Sequence, residues 1–241
     1  MALYGTRLAV LVYPENPFGG RVSPLPGVRL EAALGSLCGD LRQRAEQKLW
    51  HGCRKLALAW FGADQSLAAE SDFYAQTFHD IPVLFGEHAI TVHYHLEAFV
   101  LLARASMDVT AGAFGLLLGA PFPSGRYDSF NDLVKTILKV MPESALGQYF
   151  VDISSQSTSW LTVLTSLGDR RGLRDKLAHQ IEFPIEYVPV SEHSDRERPL
   201  VILSKDVALP LEEFVEMVRA GMIAGFLRLE DACLASLQSV P

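Results

Sequence analysis

Cysteine is scarce in this sequence. Cys38, Cys53 and Cys233 are the only three, and no two lie close enough to form a CxxC pair. An odd, widely spaced set excludes a disulfide framework and a thiolate zinc cluster, and it suits a reducing compartment. Each cysteine reads as a small buried hydrophobe. Positive charge is also short: 21 Lys and Arg stand against 28 Asp and Glu, a net charge of -7. That balance excludes broad, non-specific attraction to nucleic acid, so a nucleic-acid substrate would need a local basic patch. Long apolar runs are missing as well. The most apolar segment, LEAFVLLARASMDVTAGAFGLLLGA (96–120), is interrupted by Glu97, Arg104 and Asp108. No uninterrupted run reaches the roughly 20 residues that cross a bilayer. The N-terminal MALYGTRLAVLVYPENPFGG has no basic leader and no small-residue cleavage site, and it does not read as a signal peptide. The expectation is a soluble, cytoplasmic chain with no membrane partner.

The common catalytic signatures are absent too. The sequence has no P-loop, GxGxxG, HExxH, GxSxG or EF-hand loop. His93 and His95 flank Tyr94, but residues two apart on a helix point about 200° from one another and do not easily share an ion. His93 and Glu97 share a face, as do His88 and His95, yet the paired Glu-x-x-His repeats of di-metal bundles are lacking. Neither a metal nor a cofactor is expected.

What remains is helical periodicity in an ample apolar composition, 49% hydrophobic over 241 residues. From Val28 to Phe61 apolar residues recur at helical spacing, which predicts a long amphipathic helix or a broken pair. Further helices are predicted over 66–79 and 87–118. Another covers 129–141, with Ser129 or Asp128 placed to cap it, and the next is a continuous helix over 144–167. Gly168 and Gly172 then flank a kink before a short helix. After His179 the pattern changes to β-forming residues. Strands are expected at about 182–190 and 199–204, joined by the polar 191–198 loop, and the 7–13 strand could pair with them. Helical spacing returns from Leu211 to about 238, with Pro210 at its start. The reading is one domain over 1–241: a mainly α bundle (28–180 and 211–238) with a small antiparallel sheet or hairpin.

The chemistry concentrates in one stretch, GDRRGLRDKLAHQIEFPIEY (168–187). Residues 169–179 carry Arg170, Arg171, Arg174 and Lys176 against Asp169 and Asp175, a positive patch in an acidic chain. A histidine near pKa 6.5 exchanges protons at neutral pH. Arginine offers a permanently charged fork that matches phosphate. Asp175 and His179 are four apart, on one helix face, so the carboxylate can orient the imidazole. Arg174 points about 140° away from His179 on an ideal helix. A second arginine–histidine spacing, Arg44 to His51, has the apolar Ala45 after its arginine. A purely structural account also fits the later stretch: Arg171 and Asp175 are i,i+4 partners, and basic side chains suit a helix C-terminus.

The Arg174-Asp175-Lys176-Leu177-Ala178-His179 segment, placed late in a helical bundle, resembles the R-polar-x3-H motif of the HEPN superfamily. The resemblance covers the motif and the helical architecture. It implies a metal-independent endoribonuclease, in a superfamily that includes toxins and defence proteins. His179 would be the general acid/base, Arg174 the phosphate contact and Asp175 the orienting group, while Arg170, Arg171 and Lys176 would bind RNA. It further implies a homodimer whose two motifs line one cleft, with RNA as substrate and an antitoxin or other protein as a candidate partner. Catalytically silent HEPN-like modules also exist. The alternative is therefore a scaffold that binds a nucleotide, a small ligand or a protein.

Overall fold

The computed structural model describes residues 30–75, 87–119, 122, 127, 129–165, 172, 173, 177, 184–189 and 197–238. The chain is mainly helical, with a small three-stranded antiparallel sheet. In order the elements are α1 (Glu31–Ser36), α2 (Gly39–Ala75), α3 (Glu87–Leu118), α4 (Phe130–Val140), α5 (Ala145–Ser155) and α6 (Trp160–Leu164). Strands β1 (Ile185–Pro189), β2 (Glu197–Ser204) and β3 (Val207–Pro210) follow, and then α7 (Leu211–Gln238).

Helices α2 and α3 form a long packed pair. Leu49, Cys53, Leu56, Trp60 and Ala63 of α2 and Val92, Leu96 and Phe99 of α3 are all essentially buried, at the three- and four-residue spacing that makes one face of each helix. Glycine lets the two backbones approach. A Cβ on Gly62 would lie 2.9 Å from the His95 carbonyl oxygen, and one on Gly52 would lie 2.2 Å from the Thr110 methyl. At Gly52 the carbonyl accepts a hydrogen bond from Ser106 Oγ at 2.8 Å. This contact corrects the sequence reading of 28–61 and 66–79 as separate helices. Gly62 is a packing notch inside one 37-residue helix, while the 28–61 stretch is the broken pair allowed from sequence, with its break at Leu37–Cys38. There Leu37 turns extended and Gly39 takes a positive φ of 48°.

Helix α3 spans the range expected from sequence and ends at Gly119, where φ is 71°. Among the described residues it is the one helix long and apolar enough to cross a membrane, but 72% of that apolar window is buried within the protein. It behaves as a core helix, with α2, α4, α6 and α7 packed around it.

Serines start the short helices. Ser129 Oγ accepts from the Asp132 N–H at 3.3 Å, as the sequence suggested for this cap. Phe130, Leu133, Val134 and Ile137 then face inward. Ser144 Oγ accepts from the Gly147 N–H at 2.9 Å to open α5. The expected continuous helix over 144–167 is in fact two. The polar run Gln156–Ser159 stops α5, and Ser159 Oγ caps α6 through the Thr162 N–H at 3.3 Å while donating to the Ile153 carbonyl at 2.6 Å. One serine thus ends one helix and begins the next.

Strand order is β1-β2-β3. Ile185 pairs with Val201 and Pro189 with Glu197, while Val201 also pairs with Leu209. The hairpin expected at 182–190 and 199–204 is present at 185–189 and 197–204. The third strand, Val207–Pro210, was not anticipated, and it places Pro210 at a strand end, immediately before α7. The expected 7–13 strand and the core of the 191–198 loop lie outside the described residues. Val201 is fully buried, and β2 and β3 both contact α7, so the sheet is seated on the last helix.

Candidate functional site

Arg170, Arg171, Arg174, Asp175, Lys176 and His179 all lie outside the described residues. Their neighbours Gly172, Leu173 and Leu177 are described, and these three show how the stretch is held. Leu173 and Leu177 are both helical and four apart in sequence. Leu173 is buried in the main core, and Leu177 is half-buried against it. Full burial of a leucine such as Leu173 is worth roughly 1.5–3 kcal/mol. Gly172 is pressed onto the chain just past α6. A Cβ there would sit 2.6 Å from both the carbonyl carbon and the carbonyl oxygen of Thr165. Thr165 is itself fixed: its N–H and its hydroxyl both donate to the Leu161 carbonyl, at 2.8 Å and 2.6 Å. The glycine that reads as a kink in the sequence is therefore a close backbone contact, needed because no other residue fits the gap.

Among the described residues, three polar groupings inside the bundle have contacts between helices that the sequence did not announce. Arg104 of α3 grips Asp108 with two nitrogens, each at 3.0 Å, and donates to Asn131 Oδ1 at 3.1 Å. The same aspartate accepts from the Phe130 N–H at 2.8 Å, setting a carboxylate at the N-terminus of α4. The pair is legible as an i,i+4 spacing; its tie to α4 is not. Arg219 of α7 donates to Asp64 and to the Trp60 carbonyl (2.9 Å), and its guanidinium lies 5.6 Å over the Trp60 ring. These partners are 155 and 159 residues apart in sequence, which is why no local pattern announces them. Both groupings hold helices together.

The third grouping joins Cys53, Cys233 and Glu230. Both cysteines are fully buried and Glu230 is 2% exposed. Burial, with the Glu230 carboxylate adding to it, pushes the Cys53 thiol up to about 12 and raises Cys233 in the same direction. A thiol so raised carries essentially no thiolate at neutral pH and is neither a nucleophile nor a ready metal ligand. Cys38 is exposed. Titrating native protein with an aromatic disulfide reagent at pH 8 is expected to modify one thiol per chain, and all three after denaturation. Raising the pH to 9 should not recruit the buried pair, since both remain protonated well below about 12. A native count of two or three would contradict this packing.

His95 of α3 sits among aromatic rings. His95 meets Phe61 edge-on at 6.3 Å and Tyr94 at 5.1 Å. Among the described residues no three His, Cys, Asp or Glu side chains converge as a metal site would require. Arg44 and His51, the second arginine–histidine spacing, both lie on exposed positions of α2, and His51 packs edge-on against Trp50 at 4.9 Å. Comparison with protein-family profiles, with curated proteins and with solved structures finds no match to this chain.

Proposed function

We propose that this protein is a HEPN-like, metal-independent endoribonuclease that acts as a homodimer, with Arg174, Asp175 and His179 at its centre. The observation that carries the reading is the RDKLAH segment itself, late in a mainly helical bundle, with the core residue Leu173 just before it and the half-buried Leu177 within it. On an ideal helix that turns positions 173 and 177 inward, positions 175 and 179 fall on the outer side, four apart. That arrangement suits a histidine oriented by a carboxylate and open to substrate. His179 takes the 2′-OH proton as base and then, as the imidazolium, gives it to the leaving 5′-oxygen as acid. The 2′-oxygen attacks the adjacent phosphorus, the P–O5′ bond breaks, and Arg174 balances the added phosphorane charge. The products are a 2′,3′-cyclic phosphate and a 5′-hydroxyl. Arg170, Arg171 and Lys176 supply the local positive potential that the acidic remainder of the chain lacks. The same reading places the protein in the cytoplasm, among toxin or defence ribonucleases that an antitoxin would restrain.

The test is cleavage of end-labelled single-stranded RNA by purified protein in EDTA. Fragments ending in 2′,3′-cyclic phosphate are expected, undiminished by the chelator. Fragments ending in a 3′-hydroxyl, or activity that appears only with added divalent metal, would overturn the mechanism. A protein that forms dimers and binds nucleotides or RNA without cutting would belong to the silent binding modules instead.

A further inference from the structure

Outside the RDKLAH stretch the chain is acidic in sum, with one exception on α2. Residues 42–55 hold Arg42, Arg44, Lys48, Arg54 and Lys55 against Glu46 alone, five positive side chains to one negative. Glu46 is taken by Arg42, at 2.8 Å. Among the described residues, Arg44, Lys48, Arg54 and Lys55 have no acidic partner. Arg44, Lys48, His51 and Lys55 follow a four-three-four spacing, which keeps them within about 60° of one another and spreads them over about 16 Å of helix. Arg44 and His51 are exposed, and the two lysines are half-exposed. Lys48 lays its stem over Gly112 of α3, where a Cβ would come within 2.9 Å of Cε and Nζ. Trp50 flanks the stripe, half-exposed, with Arg54 Cζ 5.8 Å from its ring centroid. The other two tryptophans, Trp60 and Trp160, are buried.

We propose that this face of α2 binds single-stranded RNA, as a second contact surface beyond the RDKLAH segment. The choice of RNA rests on the ribonuclease reading; the need for a flexible polyanion rests on α2 itself. Unpaired cations in a line match phosphates in a line, and each contact made releases counterions. Trp50 and Arg54 add what charge alone lacks. An indole beside a guanidinium is a platform on which an unpaired base of any sequence can stack. A duplex keeps its bases inside the helix and offers Trp50 nothing to stack on. An acidic protein segment would meet the cations and leave the indole equally idle. A lipid surface fits worse still. A helix that lies in a membrane interface inserts its apolar face, and the apolar face of α2, with Leu49, Cys53 and Leu56, is already consumed in the core.

Fluorescence anisotropy of a labelled 20-nucleotide oligouridine tests it on the full chain. The probe is 2′-O-methylated throughout, so it keeps its phosphates and bases but has no 2′-hydroxyl to attack, and binding is read apart from cleavage. Wild type is expected to bind, more weakly as salt rises. The triple variant R44Q/K48Q/K55Q is expected to bind at least about tenfold more weakly at low salt, with the slope of log K against log salt reduced by about 2, at about 0.7 for each lost phosphate contact. Trp50→Ala is expected to weaken binding by about 5- to 150-fold, the usual loss of one stacked base, with the slope unchanged. Both variants should melt as wild type does, since none of the four positions is buried. A wild type that does not bind the probe overturns the proposal. So does a triple variant with wild-type affinity and slope, a Trp50→Ala variant with wild-type affinity, a duplex bound as tightly as the single strand, or stronger binding to phosphatidylserine–phosphatidylcholine vesicles than to RNA. Binding that depends on α2 in a protein that never cuts RNA leaves this face standing without the ribonuclease. Cleavage by a protein whose RNA binding ignores α2 leaves the ribonuclease without this face.

Discussion

Replacing His179 by alanine is expected to lower RNA cleavage by about a hundred- to ten-thousand-fold, the range that a positioned acid/base group supplies. The loss should appear in kcat, with little change in KM, because proton transfer acts in the transition state and phosphate contacts hold the ground state. Arg174→Lys separates charge from shape. The lysine keeps the positive charge but loses the planar fork, so partial activity is expected, whereas Arg174→Ala should fall much further. Matched thermal melts of each variant distinguish lost chemistry from lost folding. Full activity in His179→Ala would remove the assignment outright.

Mixing variants tests whether two chains share the cleft. On one ideal helix Arg174 and His179 diverge by about 140°, which favours a site drawing arginine from one copy and histidine from the other. Co-refolded His179→Ala and Arg174→Ala proteins should then recover about a quarter of wild-type activity, since half the dimers are mixed and each mixed dimer holds one intact site of two. Recovery near zero would mean that each chain carries its own complete site.

How much could be read in advance follows from how local each signal is. The range of α3 and the Ser129 cap of α4 rest on apolar periodicity and on one hydroxyl within three residues, and both are present. The split between α5 and α6 was also written locally, in a run of four polar residues ending in Ser159, but the flanking apolar residues outweighed it. Gly62 lies between the two stretches that read as separate helices, and only the opposing backbone at His95 shows why a glycine is tolerated inside one helix there. Strand β3 is four residues long and depends on β2 for its pairing, so alternation alone could not reveal it. The candidate site divides along the same line. The spacing of Arg174, Asp175 and His179 is a property of the sequence; the seating of Gly172 on Thr165 is a property of the fold, visible only once α6 is folded against its surroundings.

Trp160→Ala is expected to be the most damaging single change to stability, about 3–5 kcal/mol, the usual cost of deleting a buried indole. Trp160 is 5% exposed and opens α6 beside Phe130, 6.4 Å between ring centroids, with its Nε1–H donating to the Tyr149 hydroxyl at 3.3 Å. Its ring lies along a groove in α7 made by two glycines one turn apart. A Cβ on Gly221 would be 2.2 Å from Trp160 Cδ1, and one on Gly225 would be 2.7 Å from Cζ2. This geometry predicts a reversal of sign that tests it directly. In the wild-type background Gly221→Ala should destabilise, by about 1–3 kcal/mol, because the new methyl overlaps a ring held from behind by the core. In the Trp160→Ala background the ring is gone, and the same substitution should become stabilising by up to about 1 kcal/mol, the intrinsic helix preference of alanine over glycine. The coupling from such a double-mutant cycle isolates the one contact. Equal effects of Gly221→Ala in both backgrounds, read from urea denaturation midpoints at unchanged slope, would mean that α6 does not seat on α7 through this notch.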